Sequence, residues 1–107
     1  MMSEKERLDE KMELLTDEYA KKILRGCYDQ PMSAQHLSWE YNIPIAATYR
    51  RLRELEEAGL VEEANDDSGG NKASKYKTSL EKAVLTFEEG KFSIKMKLGE
   101  KELETDF

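Results

Sequence analysis

The sequence has few of the residues on which catalytic and metal-binding sites depend. Cys27 is the one cysteine among 107 residues, which excludes an intramolecular disulfide and a zinc site built on several cysteines. His36 is the one histidine, and neither a histidine–nucleophile arrangement nor a glycine-rich phosphate loop after a predicted strand is present. We therefore predict a protein that is not an enzyme and that binds no metal or other cofactor.

Long apolar runs are also absent. No stretch approaches the roughly 20 apolar residues of a membrane span, and the opening MMSEKERLDEKMELL is too charged for a secretory signal. Together with the single cysteine, this predicts a cytoplasmic location. Hydrophobic residues make up 38% of the chain and charged residues 37%, a balance that indicates one small domain with a modest core and solvated ends.

Helix and turn signals divide the first half of the chain. Four helices are predicted, over residues 3–15, 17–26, 33–41 and 44–58, and a frayed, solvated tail is the alternative for the first of them. Pro31 separates the second helix from the third, because it disfavours helical backbone at the preceding residue. Asn42 tolerates left-handed backbone and Pro44 is preset for a helix start, so the third and fourth helices are joined by a tight turn. Gly59 supplies the left-handed exit of the fourth helix.

The second half of the chain is predicted to form β-strands. Leu60 and Val61 begin one strand, and residues 75–78 return from a polar loop as its partner. Residues 80–98 predict a further hairpin, because apolar and polar residues alternate along its second arm. The acidic residues 99–107 are predicted to form a flexible tail.

These elements predict an α+β fold of the winged helix-turn-helix type: a three-helix core and a β-wing, with an N-terminal helix and an extra C-terminal β-hairpin. The predicted parts are residues 1–15 for a helical segment that is a candidate for dimerisation, 16–79 for the winged-helix DNA-binding domain, 80–98 for the hairpin and 99–107 for the tail. The stretch MSAQHLSWEYNIPIAATYRRLRELEEAGLVEE, with the glycine-rich loop and basic strand after it, resembles the ArsR-like winged-helix transcription regulators. Its portion IPIAATYRRLRELEEAGLV resembles archaeal members. This resemblance implies that the second helix of the pair enters the major groove and that the wing touches the DNA backbone or the minor groove.

Charge is segregated along the chain, although its net value is −6. Residues 44–53 and 68–80 each carry three basic side chains and no acid. On the fourth helix, Ile45, Thr48, Leu52 and Leu55 share one predicted core side, and Arg50 lies opposite them. We therefore predict a sequence-specific regulator that binds double-stranded DNA, with Arg50 suited to guanine edges and Tyr49 and Arg51 suited to phosphates. The predicted DNA-contacting residues are Ser33, Ala46, Ala47, Tyr49, Arg50, Arg51, Arg53, Lys72, Lys75 and Lys77.

A homodimer is expected, because one recognition helix reads only a few base pairs. The ArsR-like proteins commonly close their dimer with a terminal helix after the wing, whereas this chain ends in predicted strands. Its dimer surface is therefore expected in the N-terminal stripe, in the C-terminal hairpin, or in both. The candidate residues are Leu8, Met12, Leu15, Phe92, Ile94 and Met96.

Several alternatives remain open from the sequence. Arg50 with Glu54, and Arg53 with Glu57, are spaced to form surface ion pairs, and the wing lysines are also compatible with keeping an edge strand soluble. Trp39 is compatible with a dimer contact, with contact to the wing, or with covering the core from its edge, and the last is favoured. A winged-helix module that binds protein within the transcription machinery is the second functional hypothesis, because the net charge is acidic. A ligand sensor whose hairpin shapes a pocket is the third, with no effector identified.

Overall fold

The chain forms four helices and six strands in the residues that the computed structural model describes, 3–64 and 74–106. The elements are α1 (Glu4–Thr16), α2 (Glu18–Gly26), β1 (Met32–Ser33), α3 (Ala34–Tyr41), α4 (Ile45–Glu57), β2 (Val61–Ala64), β3 (Lys75–Thr78), β4 (Leu80–Glu88), β5 (Lys91–Leu98) and β6 (Lys101–Asp106). Within these residues, no helix is long and apolar enough to cross a membrane.

Local capping groups set the ends of α2, α3 and α4. Asp17 accepts a hydrogen bond of 2.9 Å from the Ala20 amide, and the Ser33 hydroxyl accepts one from the α3 backbone. Asn42 adopts left-handed backbone (φ 53°) at the end of α3, and Gly59 (φ 78°) follows α4. The predicted helix boundaries and the tight turn are confirmed.

The core lies where α2, α3 and α4 meet the small sheet. Its fully buried residues include Ile23, Leu37 and Leu55. Gly26 is required at the contact between α2 and α3, because a Cβ there would lie 2.5 Å from the Tyr41 ring. Helix α1 adds Leu14, which is 6% exposed, along one side of this core.

The first sheet has the strand order β1-β3-β2 and contains the wing. Two bonds from Thr78 fasten β3 to the end of α2: its amide donates to the Cys27 carbonyl oxygen at 3.0 Å, and its hydroxyl donates to the Leu24 carbonyl oxygen at 2.7 Å. The helices α3 and α4, the turn that connects them and the β-wing therefore form a winged helix-turn-helix, as predicted. The short strand β1, which pairs with β3, was not predicted.

The second sheet is the antiparallel meander β4-β5-β6. Strands β4 and β5 occupy the stretch expected to form a hairpin, and they are joined at Glu89 and Gly90. The prediction of a flexible tail is wrong, because Lys101–Asp106 pairs with β5 as β6. Lys97 lies opposite Glu102 and Lys95 opposite Glu104 in this pairing, so cross-strand charge complementarity stabilises a strand that has little apolar character of its own.

The structure changes the interpretation of the predicted dimer residues. Ile94 and Met96 are each 3% exposed and belong to the chain's own core, so neither is available to a partner. Alternation alone could not distinguish a core-facing row from a partner-facing row. Met12 and Leu15 are partly buried against the core, Phe92 is 45% exposed, and the side chain of Leu8 lies outside the described residues.

Candidate nucleic-acid interface

One side of α4 is open to solvent, and we call it the α4 face. It consists of Ile45, Ala46, Tyr49, Arg50 and Arg53, all of which are exposed. The opposite side of α4 is fixed in the core by Thr48, Leu52 and Leu55, which are at most 2% exposed. The α4 face therefore combines small, apolar, aromatic and cationic side chains on a helix that the fold holds rigidly.

Ile45 and Ala47 differ from their predicted positions. Ile45 was expected in the core but is 45% exposed, because Ile43 in the preceding turn fills the core position at 2% exposure. Ala47 was expected to face outward but is half-buried and packs against the core. Helical spacing identified the buried side of α4 correctly from Thr48 onward. It could not show which residue fills the core beside the first turn.

Arg50 and Arg53 carry the positive charge of the α4 face. Within the described residues, neither arginine forms an ion pair, so the predicted alternative of paired Arg50–Glu54 and Arg53–Glu57 is not observed. Glu54 is instead bonded to Arg51. Both guanidinium groups of the α4 face therefore remain open to an anionic partner.

Arg51 faces the protein instead of solvent. Its Nε and Nη2 donate to the two carboxylate oxygens of Asp17 at 3.0 and 3.3 Å, and Nη1 donates to Glu54 at 2.8 Å. Its side chain is only 21% exposed. These contacts contradict the prediction that Arg51 contacts phosphate, and they make it a bidentate link between α4 and the first turn of α2.

The Asp17 carboxylate links the first turn of α2 to Arg51 on α4. Partial burial raises the pKa of Asp17, but hydrogen bonds from the Ala20 amide and from the Arg51 guanidinium outweigh that effect, so the pKa lies below its ordinary value. The same carboxylate thus caps α2 and binds α4. The sequence indicated the cap but gave no sign of the Arg51 partner, which lies 34 residues away.

The wing gives its predicted contact residues different environments. The Lys77 ammonium donates to the Tyr28 carbonyl oxygen at 2.7 Å and lies 5.7 Å from the centre of the Tyr28 ring. These contacts hold Lys77 against the turn that follows α2 and argue against its predicted contact with DNA. Lys75 is half-buried at the start of β3, and Lys72 lies outside the described residues.

Tyr76 is a wing residue that sequence reasoning missed. Burial raises the pKa of Tyr76, and the nearby Glu63, Glu56 and Tyr49 raise it further. These neighbours come from β2 and from α4, so β3 and the α4 face are adjacent. The missed signal was the alternation in KYKT, which sets Tyr76 apart from the lysines beside it.

Three further residues lie on α3 or at its start. The Ser33 hydroxyl accepts a hydrogen bond of 3.1 Å from the His36 amide, so it is oriented toward the helix as its cap. Trp39 is 82% exposed, which contradicts the favoured expectation that it covers the core. His36 is also exposed whereas Cys27 is fully buried, so these two residues form no common site.

Negative charge collects on another side of the molecule, where α1 meets α4. A cavity of about 250 Å³ there is lined by the charged residues Glu10, Glu13, Asp17, Arg51, Glu54 and Glu57. An acidic surface repels a phosphate backbone. The charge pattern therefore leaves the α4 face as the side of the helix that an anionic polymer can approach.

Comparison with known proteins agrees with this geometry. Residues 15–64 match a family model described as a helix-turn-helix domain. A similar solved structure is HlyU from Vibrio cholerae N16961, at 19% sequence identity and a TM-score of 0.56, with 73% of this chain and 80% of that chain covered. The chain has a winged helix-turn-helix fold. No curated protein matches the sequence.

The matched segment contains all the elements that build the α4 face. Residues 15–64 span α2, α3, α4 and β2, whereas β4, β5 and β6 lie beyond it. The helix-turn-helix match supports a DNA-binding transcription regulator and not an enzyme. The second sheet is an addition to the matched domain.

Proposed function

We propose that this chain is a sequence-specific regulator of transcription that binds double-stranded DNA as a homodimer, with α4 in the major groove. The observation that carries the proposal is the α4 face. Arg50 and Arg53 have no ion-pair partner within the described residues, and they extend from a helix fixed by Thr48 and Leu52. We also propose that the regulator is of the ArsR-like type, in its archaeal form, on the resemblance of residues 32–63.

Each residue of the α4 face has a distinct task in this proposal. Arg50 donates to O6 and N7 of a guanine, which a guanidinium contacts with two hydrogen bonds. Ala46 leaves room for the helix to approach the base edges, and Ile45 offers an apolar contact to a thymine methyl group. Tyr49 and Arg53 contact phosphates at the margins of the groove.

The acidic remainder of the molecule limits binding in other orientations. Phosphate contacts supply most non-specific affinity, and the net charge of this chain is −6, so most of its surface is unfavourable to a phosphate backbone. We therefore expect weak and strongly salt-dependent binding to random DNA, together with much tighter binding to a matching site. A selected site with two inverted half-sites about one helical turn apart would report the homodimer.

Selection from random duplexes followed by affinity measurements at two salt concentrations tests the proposal. Arg50→Ala should weaken binding to the selected site about 10- to 100-fold, because a bidentate base contact is lost. Arg25→Ala is the matched control, since Arg25 is an exposed arginine on α2 instead of α4. Equal binding by Arg50→Ala and the parent protein, or failure to select any sequence, would remove the proposal.

Trp39 favours a second candidate function, a winged-helix module that binds another protein. A tryptophan that is 82% exposed is an effective anchor in a protein interface. Retention on heparin separates the two functions, because a protein-binding module with an isoelectric point near 4.9 should flow through. Retention that depends on Arg50 and Arg53 would favour DNA.

A further inference from the structure

Strand β4 forms one outer edge of the second sheet. It pairs with β5 and with no other strand among the described residues. Its centre is an uncharged run, Ala83 to Phe87, in which Val84 is 40% exposed, Leu85 52% and Phe87 64%. An exposed, apolar edge strand is a template for pairing with another chain unless it is protected by charge or proline.

The other edge of the same sheet is protected. Strand β6 reads KELETD, so charged side chains occur along its whole length. It lies on the far side of β5 and is matched to the β5 lysines. The two edges thus have opposite character, and only the β4 edge is suited to a further strand.

The hairpin geometry identifies the backbone groups that face outward. Glu89 (φ 52°) and Gly90 (φ 78°) form a two-residue turn with left-handed backbone at both positions, and such a turn is closed by a hydrogen-bonded pair, here Glu88 and Lys91. Hydrogen-bonded and non-hydrogen-bonded pairs alternate along an antiparallel ladder. The amide and carbonyl groups of Ala83, Leu85 and Phe87 therefore point away from β5.

The run is bounded on both sides by charge. Lys82 comes directly before the run and Glu88 directly after it, and neither forms an ion pair within the described residues. An irregularity in the pairing between Leu80 and Lys82 closes the edge at one end, and the turn closes it at the other. The usable edge is thus a short segment with a positive start and a negative finish.

We propose that a second copy of this chain pairs antiparallel along β4, with Leu85 opposite Leu85 of the second copy. This register matches outward-facing backbone groups with one another. It brings Lys82 opposite Glu88 of the second copy, twice by symmetry, and all five uncharged residues lie opposite uncharged residues. A shift by two residues would put Lys82 opposite a threonine or a glycine and would leave both charges unmatched.

The pairing also satisfies the geometry of a closed dimer. A two-fold axis at Leu85 joins the two meanders into one six-stranded sheet whose outer edges are both β6. Those edges are charged, so growth stops at two copies. Phe87 lies opposite Ala83 of the second copy, a large side chain against a small one, and its ring centroid is 4.7 Å from that of Phe92 in its own chain.

This inference rests on the proposed function for its purpose, because it supplies the homodimer, but its test requires no DNA. Sedimentation equilibrium of the free protein should give twice the chain mass of 12.4 kDa. A monomer at every concentration would overturn the proposal and would leave the β4 edge to a different partner. DNA binding is measured separately, so failure of either proposal is recognised independently of the other.

A proline scan tests whether the edge itself forms the contact. Leu85→Pro removes an amide that points away from β5, so the hairpin's own hydrogen bonds are kept while the dimer's are lost. The expected result is a monomer. Glu104→Pro, at an outward-facing position of β6, is the matched control and should remain a dimer. A dimeric Leu85→Pro protein would contradict edge pairing.

Charge exchange tests the register and does not depend on tolerance of proline. Lys82→Glu and Glu88→Lys should each weaken association roughly tenfold, because two like-charge pairs replace two opposite pairs in the dimer. The double variant should restore association to near the parent value. A double variant that is as weak as either single variant would overturn this register.

Discussion

Arg51 and Arg50 are adjacent in sequence, but the structure gives them separate roles that a pair of matched substitutions can resolve. Arg51→Met removes the guanidinium and retains much of the apolar stem. Arg50→Met makes the same chemical change one residue away, on the exposed α4 face. We expect the first to lower stability and the second to lower DNA affinity.

The expected loss follows from the contacts of Arg51. Its bidentate bond to Asp17 lies between side chains that are 21% and 29% exposed, between the surface and buried extremes. Exposed pairs contribute about 0–1 kcal/mol and hydrogen bonds to charged groups about 1.5–3 kcal/mol, so we expect about 1–2 kcal/mol from this link. The more exposed bond to Glu54, three residues along α4, adds only a few tenths of a kcal/mol.

Thermal unfolding near pH 7 measures this difference. Arg51→Met should lower the midpoint by roughly 5–10 °C, since 1 kcal/mol corresponds to about 4–8 °C in a domain of this size. Arg50→Met should change the free energy of unfolding by less than about 0.5 kcal/mol, as expected of an exposed side chain. Affinity for a selected DNA site should show the reverse order.

The pH dependence identifies Asp17 as the partner. The pKa of Asp17 is lower in the folded chain than in the unfolded chain, so its contribution is complete above about pH 4 and is lost as pH falls through the folded value. The gap between Arg51→Met and the parent should therefore narrow in acid. Equal midpoints for the two arginine variants at pH 7, or a gap that persists after Asp17 is protonated, would refute the link.

Three further predictions concern the core. Thr78→Val should cost about 1–3 kcal/mol of unfolding free energy in urea titration, because the Leu24 carbonyl oxygen loses its donor, whereas Thr78→Ser should cost less. Gly26→Ala should destabilise the chain by about 1–3 kcal/mol in the same assay, since its methyl group would meet the Tyr41 ring, and an unchanged midpoint would contradict that contact. Cys27 is fully buried, and burial also raises the pKa of its thiol, so a thiol reagent should modify it only when the chain unfolds; rapid labelling of the folded protein would show that the thiol is accessible.

Local signals in the sequence were sufficient for the helical half of the fold. Asp17, Ser33, Asn42 and Gly59 act on backbone groups within one turn of themselves, so their effects could be read without knowledge of the rest of the chain. The core side of α4 could be read from its middle onward for the same reason. The basic character of the α4 face followed from composition along that helix.

Other features depend on partners that are distant in sequence. Strand β6 was missed because its stability comes from pairing with β5, and its own residues are acidic and mostly polar. Ile94 and Met96 alternate with polar residues along β5, a pattern that fits a core row and an interface row equally well. Only tertiary packing showed that they lie in the core. The outward-facing backbone of β4 likewise depends on the register of the hairpin.

The sequence by itself determined a winged helix-turn-helix whose fourth helix is basic in its first half, because periodicity, caps and turns are set by neighbours along the chain. The tertiary structure alone decided which of the three arginines of α4 are open to solvent. Arg51 is bonded to a carboxylate 34 residues away, while Arg50 and Arg53 face solvent. Such a choice arises from distances between elements, and these are fixed only when the core has packed.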